Sequence, residues 1–368
     1  MKFSIERDLL FEALQKTQSV VEKRNTVQIL ANILCTVKDQ YLSLSATDLE
    51  VGIKVNVPVE AQQEGRITLS AKHFFDIVKE LPSKKLDVTR KDNNWVEIVC
   101  GKARFNVVSL SAEEYPALPI FEEKKYIDAK IDDLKDMIDR TAFAVSTDST
   151  RYLLNGVFFE CLEKNISRMT ATDGHRLSFV DHEVFITIPD LKRGIIIPKK
   201  GLNELRKLIE QGSSSVGLSF ERGYIFVKLD DTHLFIRLIE GEYPDYRQVI
   251  PKSTDRVVVM NSDLFTSALK RISLLANEKS RGVKLTLQGA TLTISSSNPD
   301  LGEAREEIDT EYNGDPIDIG FNSKYLLDCM SIIKSEKIEL HLKDRLSPGI
   351  LKETGQLHHT YVIMPMRI

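Results

Sequence analysis

The chain has 368 residues, and although 28% of them are charged, the two signs nearly cancel to a net −4. That length exceeds what one hydrophobic core serves and predicts two or three domains, while the balanced charge excludes bulk attraction to nucleic acid and an acidic solvating tail. No run of about 18 apolar residues occurs, which excludes a membrane-spanning helix and leads us to expect a cytoplasmic protein.

The opening stretch MKFSIERDLLFEALQK predicts a strand followed by an amphipathic helix, with Leu10, Leu14, Thr17 and Val21 on one face. Leu42 to Val55, LSLSATDLEVGIKV, alternates as strands do. Ile67 to Leu81, ITLSAKHFFDIVKEL, gives a strand, a cap and a second helix, and FNVVSLSAEEYPALP, Phe105 to Pro119, ends the segment as a strand running into prolines. The pattern then starts again. A helix with Ile131, Leu134, Ile138 and Ala142 on one face precedes SRMTATDGHRLSFV (Ser167 to Val180), IIIPKKGLNELRKLI (Ile195 to Ile209) and FIRLIEGEYPDYRQVIP (Phe235 to Pro251). A third pass gives a helix with Leu264, Ala268, Ile272 and Leu275, a hairpin around Gln288-Gly289, LTISSSNPDLGEAREEI (Leu292 to Ile308) and IGFNSKYLLDCMSII (Ile319 to Ile333). Lys72, Lys200 and Lys324 occupy equivalent places. The chain is therefore a threefold repeat, which must be recognised before any motif is weighed.

Proline-bearing stretches mark the junctions. They predict domains at 1–121, 122–251 and 252–368, each an α+β unit with two helices packed on one face of antiparallel sheet. The ending TYVIMPMRI predicts a last strand, Thr360 to Ile363, followed by an apolar remainder, MPMRI, with no obvious purpose.

Chemistry is scarce. No phosphate loop, dinucleotide fingerprint, serine elbow or paired-histidine zinc motif occurs. Cys35, Cys100, Cys161 and Cys329 are far apart without a CxxC pair, which predicts reduced structural thiols and no metal. His358 and His359, adjacent in a strand, point to opposite faces and do not share an ion. Asp173, His175 and Arg176 in ATDGHRL form an acid, an imidazole and a guanidinium around an Asp-Gly turn, and an enzyme using this cluster is one reading. The other is a hairpin turn in a non-catalytic protein. Three repeats with helices on a common side form an arc, which head-to-tail self-association closes into a ring. Arg24, Lys72, Arg140, Arg151, Lys199, Lys200, Arg206 and Lys270 would then face inward, against a plainer reading as ordinary solvated helix faces.

Taken together, ATDGHRLS (Ala171 to Ser178), EYPDYRQVIP (Glu242 to Pro251), NEKSRGVKL (Asn277 to Leu285), IGFNSKYLLD (Ile319 to Asp328) and YVIMPMRI (Tyr361 to Ile368) make the whole chain resemble the bacterial DNA polymerase III beta subunit family, the replicative sliding clamps. The resemblance implies a homodimeric ring of six similar domains around duplex DNA, with no catalysis and no cofactor. It implies DNA contacts from Arg24, Arg151, Tyr152, Lys199 and Lys200. It also implies a groove for short peptides of the polymerase alpha subunit, the clamp loader, other polymerases and repair proteins. The second repeat contributes Leu154, Thr172, Gly174, His175, Arg176, Leu177, Pro244 and Val249 to that groove, and the third contributes Asn322, Tyr325, Leu346, Met364, Pro365, Met366 and Arg367. Methionines suit a surface that adapts to several partners, and Arg176, His175 and Asn322 are expected to meet the peptide's polar atoms. The implied ring interface sets Phe74, Ile77, Phe105 and Val107 of one copy against Leu274 and Leu275 of the other.

Overall fold

The computed structural model describes residues 1–21, 27–119, 125–162, 166–183, 193–210, 214–356 and 358–367. Repeat one runs β1 (Lys2–Glu6), α1 (Arg7–Gln18), β2 (Asn32–Lys38), β3 (Tyr41–Thr47), β4 (Val51–Pro58), β5 (Glu60–Gln63), β6 (Gly65–Ser70), α2 (Ala71–Glu80), β7 (Lys85–Arg90), β8 (Trp95–Cys100) and β9 (Ala103–Val108). Repeat two runs β10 (Ile127–Lys130), α3 (Ile131–Thr141), β11 (Gly156–Leu162), β12 (Ile166–Thr172), β13 (Arg176–Glu183), β14 (Ile195–Pro198), α4 (Lys199–Ile209), β15 (Ser215–Glu221), β16 (Tyr224–Leu229) and β17 (Thr232–Arg237). Repeat three runs β18 (Arg256–Asn261), α5 (Ser262–Ser273), β19 (Gly282–Gln288), β20 (Thr291–Asn298), β21 (Gly302–Asp309), β22 (Ile317–Asn322), α6 (Ser323–Met330), β23 (Lys337–Leu342), β24 (Gly349–Glu353) and β25 (His359–Ile363). Apart from the extra β5, each repeat is βαβββ written twice.

Helices α2, α5 and α6 start where a polar side chain meets orphan N–H groups, whereas α1 follows Glu6 with no side-chain cap. Ser70 caps α2, and Asn261 accepts from the Leu264 N–H at 3.0 Å to cap α5. On α5 the buried stripe is Phe265, Ala268, Leu269 and Ile272, whereas Leu264, expected inside, is 56% exposed. Spacing at three and four fits two neighbouring stripes here, and packing selects the one bearing the phenylalanine. The hairpin after β19 turns at Gly289-Ala290, one residue later than expected, with Gly289 supplying the positive φ.

Sheets do not respect the repeats. The compact unit of Met1–Asp132 with Lys200–Leu238 holds a sheet ordered β5-β1-β7-β8-β9 and a second ordered β10-β15-β16-β17-β4-β3-β2-β6. The unit of Asp133–Lys199 with Ile239–Ile368 holds β14-β11-β12-β13-β25-β24-β23-β18 and β21-β20-β19-β22. In each eight-stranded sheet, strands closing the half-repeats meet across a repeat boundary: β17 on β4 with Phe235 opposite Gly52, and β25 on β13 with Tyr361 opposite Ser178. The Phe235 ring lies where a Cβ on Gly52 would sit, so the close approach demands glycine.

One further device recurs in all three repeats. Just beyond β9, Leu110 bridges Thr68 of β6; beyond β17, Ile239 bridges Ile196 of β14; beyond β25, Met366 bridges Gly320 of β22. The chain thus folds back to cover the edge strand of its own repeat. MPMRI is the third instance, held by the Met364 N–H on the His175 carbonyl (2.9 Å) and the Met366 N–H on Gly320 (2.8 Å). The remainder that had no obvious purpose in the sequence thus has a structural one, because its backbone bonds to the His175 turn and to β22.

Candidate functional site

The ATDGHRL segment joins β12 to β13. Oδ1 of Asp173 accepts the backbone N–H groups of His175 (3.0 Å) and Arg176 (3.1 Å), while its Oδ2 accepts from Nε of Arg176 at 3.0 Å. Arg176 is buried, and its other nitrogens donate to Asp328 (2.6 Å) and the Phe143 carbonyl (2.8 Å). The guanidinium also lies over the Tyr325 ring, 4.6 Å from its centre. Each of the three Arg176 nitrogens thus donates one hydrogen bond within the chain, which ties the guanidinium to the fold at the edge of the cleft it helps to line. The same bonds explain why Asp173, His175 and Arg176 make no acid-base set: the carboxylate shapes a turn and the guanidinium ties three segments together.

Beside this turn lies an apolar cleft of about 170 Å³. Leu154, Thr172, Gly174, Arg176, Leu177, Pro244, Val249 and Met364, all expected, line it together with Asp245, Tyr246 and Val362, which sequence reasoning missed. Its floor is fixed from below. The Tyr246 hydroxyl donates to Glu160 (2.6 Å), and Tyr243 stacks on Phe158 at 5.0 Å while its hydroxyl accepts the Thr172 N–H at 3.1 Å. EYPDY carried the signal for both tyrosines, but an aromatic beside prolines reads equally well as core.

A wider, shallower depression of about 890 Å³ is lined by Ile319, Gly320, Leu346, Pro365, Met366 and Arg367, with Lys284, Asp318 and Arg345 supplying charge. The final residues therefore contribute to both, Met364 to the first and Pro365 to Arg367 to the second. His175, Tyr325 and Asn322 line neither. The His175 ring stacks on Tyr325 at 6.3 Å. Asn322 caps α6 by accepting from the Lys324 N–H (2.9 Å) and donates to the Ser280 carbonyl (3.3 Å), so its amide is occupied as well.

The expected DNA-contacting residues separate. Arg24 lies outside the described residues. Arg151 is exposed, donating to the Asp173 carbonyl at 3.1 Å, and Tyr152 beside it is 57% exposed. At the start of α4, Lys199 is half-buried, and burial together with the Arg176 and Lys324 charges pulls its pKa down. Lys200 is paired with Asp48. Arg140, grouped with the inward-facing bases, is instead buried between Asp136 (2.8 Å) and Glu353 (2.5 Å).

Of the expected ring-interface residues, Phe74 is only 2% exposed and belongs to the core under α2. Helical spacing could not tell it from Phe75, which stacks on Phe11. Ile77, Val107 and Leu275 are half-buried, while Phe105 and Leu274 are exposed. Val108, 61% exposed at the end of β9, was missed because a strand-end valine carries no distinguishing pattern.

Three tandem doubled βαβββ repeats, sheets that run across their boundaries, and an apolar cleft in place of a catalytic centre define a clamp-type scaffold that holds other molecules. Family models describe the same chain: the DNA polymerase III beta subunit N-terminal domain matches residues 1–119, the central domain 128–245 and the C-terminal domain 247–367. The chain belongs to the DNA polymerase III beta subunit family of non-catalytic sliding clamps. It is 35% identical to the beta sliding clamp of Pseudomonas putida over 369 residues, and 32% identical to that of Escherichia coli K12 over 369 residues, with 100% of both chains covered in each case. Among solved structures, the Pseudomonas aeruginosa DNA polymerase III subunit beta matches with a TM-score of 0.94 at 34% identity, covering 100% of each chain. A Bartonella birtlesii sliding clamp bound to griselimycin matches with a TM-score of 0.95 at 34% identity, also over 100% of each chain.

Proposed function

We propose that two copies of this chain close head to tail into a ring that encircles duplex DNA and tethers the replicative polymerase and other partners by short peptides. The observation that carries the ring is the pairing rule of the sheets. Strands closing half-repeats pair as β17 with β4 and as β25 with β13, while the remaining two, β9 and β21, each end a sheet. A second copy offers β21 to β9 and β9 to β21, so one rule repeated between copies leaves no closing strand unmatched and generates a closed twofold assembly. Exposed Phe105, Val108 and Leu274 supply apolar surface for that contact.

Enclosure rather than affinity suits a chain of net charge −4. Arg151, Tyr152 and the lysines at the start of α4 would make weak, sequence-independent phosphate contacts. Peptide anchors would enter the 170 Å³ cleft, whose apolar lining and tyrosine floor fit one or two aliphatic or aromatic side chains. We place the domain junctions near residues 122 and 252, and we place the protein in the cytoplasm with the chromosome. Retention on DNA tests this reading. After loading, the protein should remain on closed circular DNA and run off linear DNA; equal retention on both would sink enclosure.

A further inference from the structure

One cluster lies apart from the cleft. From α3 come Asp133, Asp136 and Arg140, from β13 His182, from β24 Glu353 and from β25 His359. Nε2 of His182 lies 3.0 Å and Nε2 of His359 lies 3.1 Å from the same oxygen, Oδ2 of Asp136, and the candidate ligand atoms of these three residues all fall within 4.8 Å of one another. Both rings turn Nδ1 toward a carboxylate: His182 toward Asp133 at 3.5 Å, and His359 toward Glu353 at 3.5 Å.

We propose that Asp136, His182 and His359 form a binding site for one divalent transition ion of borderline softness, such as Zn2+, through Oδ2 and the two Nε2 atoms. Three features converge on it. The first is proton placement. A neutral imidazole carries a single N–H. If both rings place it on Nε2 to serve Asp136, each turns a bare lone pair on a carboxylate, and Nδ1 of His359 is indeed buried without a hydrogen-bond partner. An ion at both Nε2 atoms moves each proton to Nδ1, where Asp133 and Glu353 accept it, giving the carboxylate–histidine–metal arrangement that orients such ligands.

The second is charge. Asp136 and Glu353 face the guanidinium of Arg140, which donates to both and also to the Tyr361 hydroxyl at 3.2 Å, while Asp133 lies on the far side of His182. With neutral imidazoles these groups sum to a deficit of two positive charges, which a dication fills. The third is geometry. Tetrahedral ligands at about 2.0–2.1 Å from zinc stand roughly 3.3 Å apart, so the Nε2 to Oδ2 edges open by a few tenths of an ångström. His182 is 23% and Asp136 32% exposed, which leaves access and room for water as a fourth ligand, while His359 is 4% exposed and fixes the inner wall. Two histidines on neighbouring strands and a helical carboxylate show no sequence spacing, so no motif announces them.

The ion would bind across β13 and β25, which lead into the turn and the final residues walling the cleft. The test uses the full chain stripped with a chelator, titrated with Zn2+ by calorimetry and with Co2+ by visible absorption. One ion per chain is expected, with the d–d bands of four-coordinate Co2+ and a Tm raised by about 5 °C at a hundredfold excess of Zn2+ over its Kd. His182→Gln should abolish all three signals, and Asp133→Asn, which keeps every ligand, should weaken affinity by about 10- to 100-fold. No binding and an unmoved Tm would overturn the proposal in favour of two imidazolium ions. Binding that survives both substitutions, or a thiolate charge-transfer band from a cysteine such as Cys161, would overturn it too.

Discussion

The backbone N–H of Met366 donates to the carbonyl oxygen of Gly320 at 2.8 Å, laying the last residues along the edge of β22. The side chains of this segment face the two depressions while its backbone serves the fold.

Removal of Met364 to Ile368 therefore has two effects of different size. Loss of the two backbone bonds should lower stability by about 1–3 kcal/mol, since each net bond contributes about 0.5–1.5 kcal/mol. Loss of the methionine wall should abolish binding of a short partner peptide with an aliphatic anchor. Thermal unfolding and fluorescence anisotropy on the same truncated protein separate them: unchanged peptide affinity would refute the role of the wall, and collapse of the fold would make the segment mainly structural.

Arg176 is expected to act as a structural tie. Arg176→Ala leaves half-buried Asp328 and Asp173 beside the Tyr325 ring without their cation, at a cost of about 1–3 kcal/mol, readable as a lower urea midpoint with unchanged slope. Arg176→Lys should recover little, because a single ammonium does not reproduce a fork donating in three directions. A variant of wild-type stability that had lost only peptide binding would show that the arginine contacts the peptide instead.

At the proposed ring closure, Leu274 is 77% exposed, so Leu274→Asp should leave the fold within about 0.5 kcal/mol of the parent. In the assembled ring the same charge would be buried without a partner. Leu274→Asp combined with Leu275→Asp should sediment as a monomer that no longer persists on circular DNA. A dimer of unaltered mass would place the interface elsewhere.

Burial pushes the thiols of Cys35 and Cys329 up to about 12 from 9.0, with Arg176 opposing the rise at Cys329. In the native state neither should react with a thiol reagent at pH 8, nor should buried Cys100, whereas half-buried Cys161 should react; all four should react in denaturant. Because the folded values lie above the unfolded one, this contribution to stability is complete below about pH 9 and is lost as pH rises toward about 12. Cys35→Ser should flatten that alkaline limb. Fast native modification of Cys35 would contradict its burial.

Much of this was legible in the sequence. Period-two and period-three-and-four spacing located the paired helices and the threefold repeat, because each repeat buries its own apolar faces. Sheet continuity was not legible: nothing in THLFIR or VGIKV says that they pair across repeats, since long-range register depends on faces that only tertiary packing creates. Around the cleft, apolar lining residues were found through motifs, whereas the polar residues expected with them are engaged within the chain. Arg176 and Asn322 look like receptors for a ligand, yet the turn and the helix end beside them hold unmet donors and acceptors that claim them first. The burial of Phe74 was not legible for a related reason, since two adjacent phenylalanines leave the burial choice to the packing.

The crossing of repeat boundaries by β4 and β17 also sets the order in which the chain matures. During synthesis β4 emerges with repeat one, but the strand that covers it ends at Arg237 and is made much later. Until then the nascent first repeat presents an open edge carrying Val51, Ile53 and Val55, which are buried in the finished protein. Such an edge invites pairing with another nascent chain. A gene fragment cut at the first proline linker makes that transient state permanent, and one cut after β17 covers β4 only to leave β13 waiting for β25, so no cut at a repeat end closes every edge.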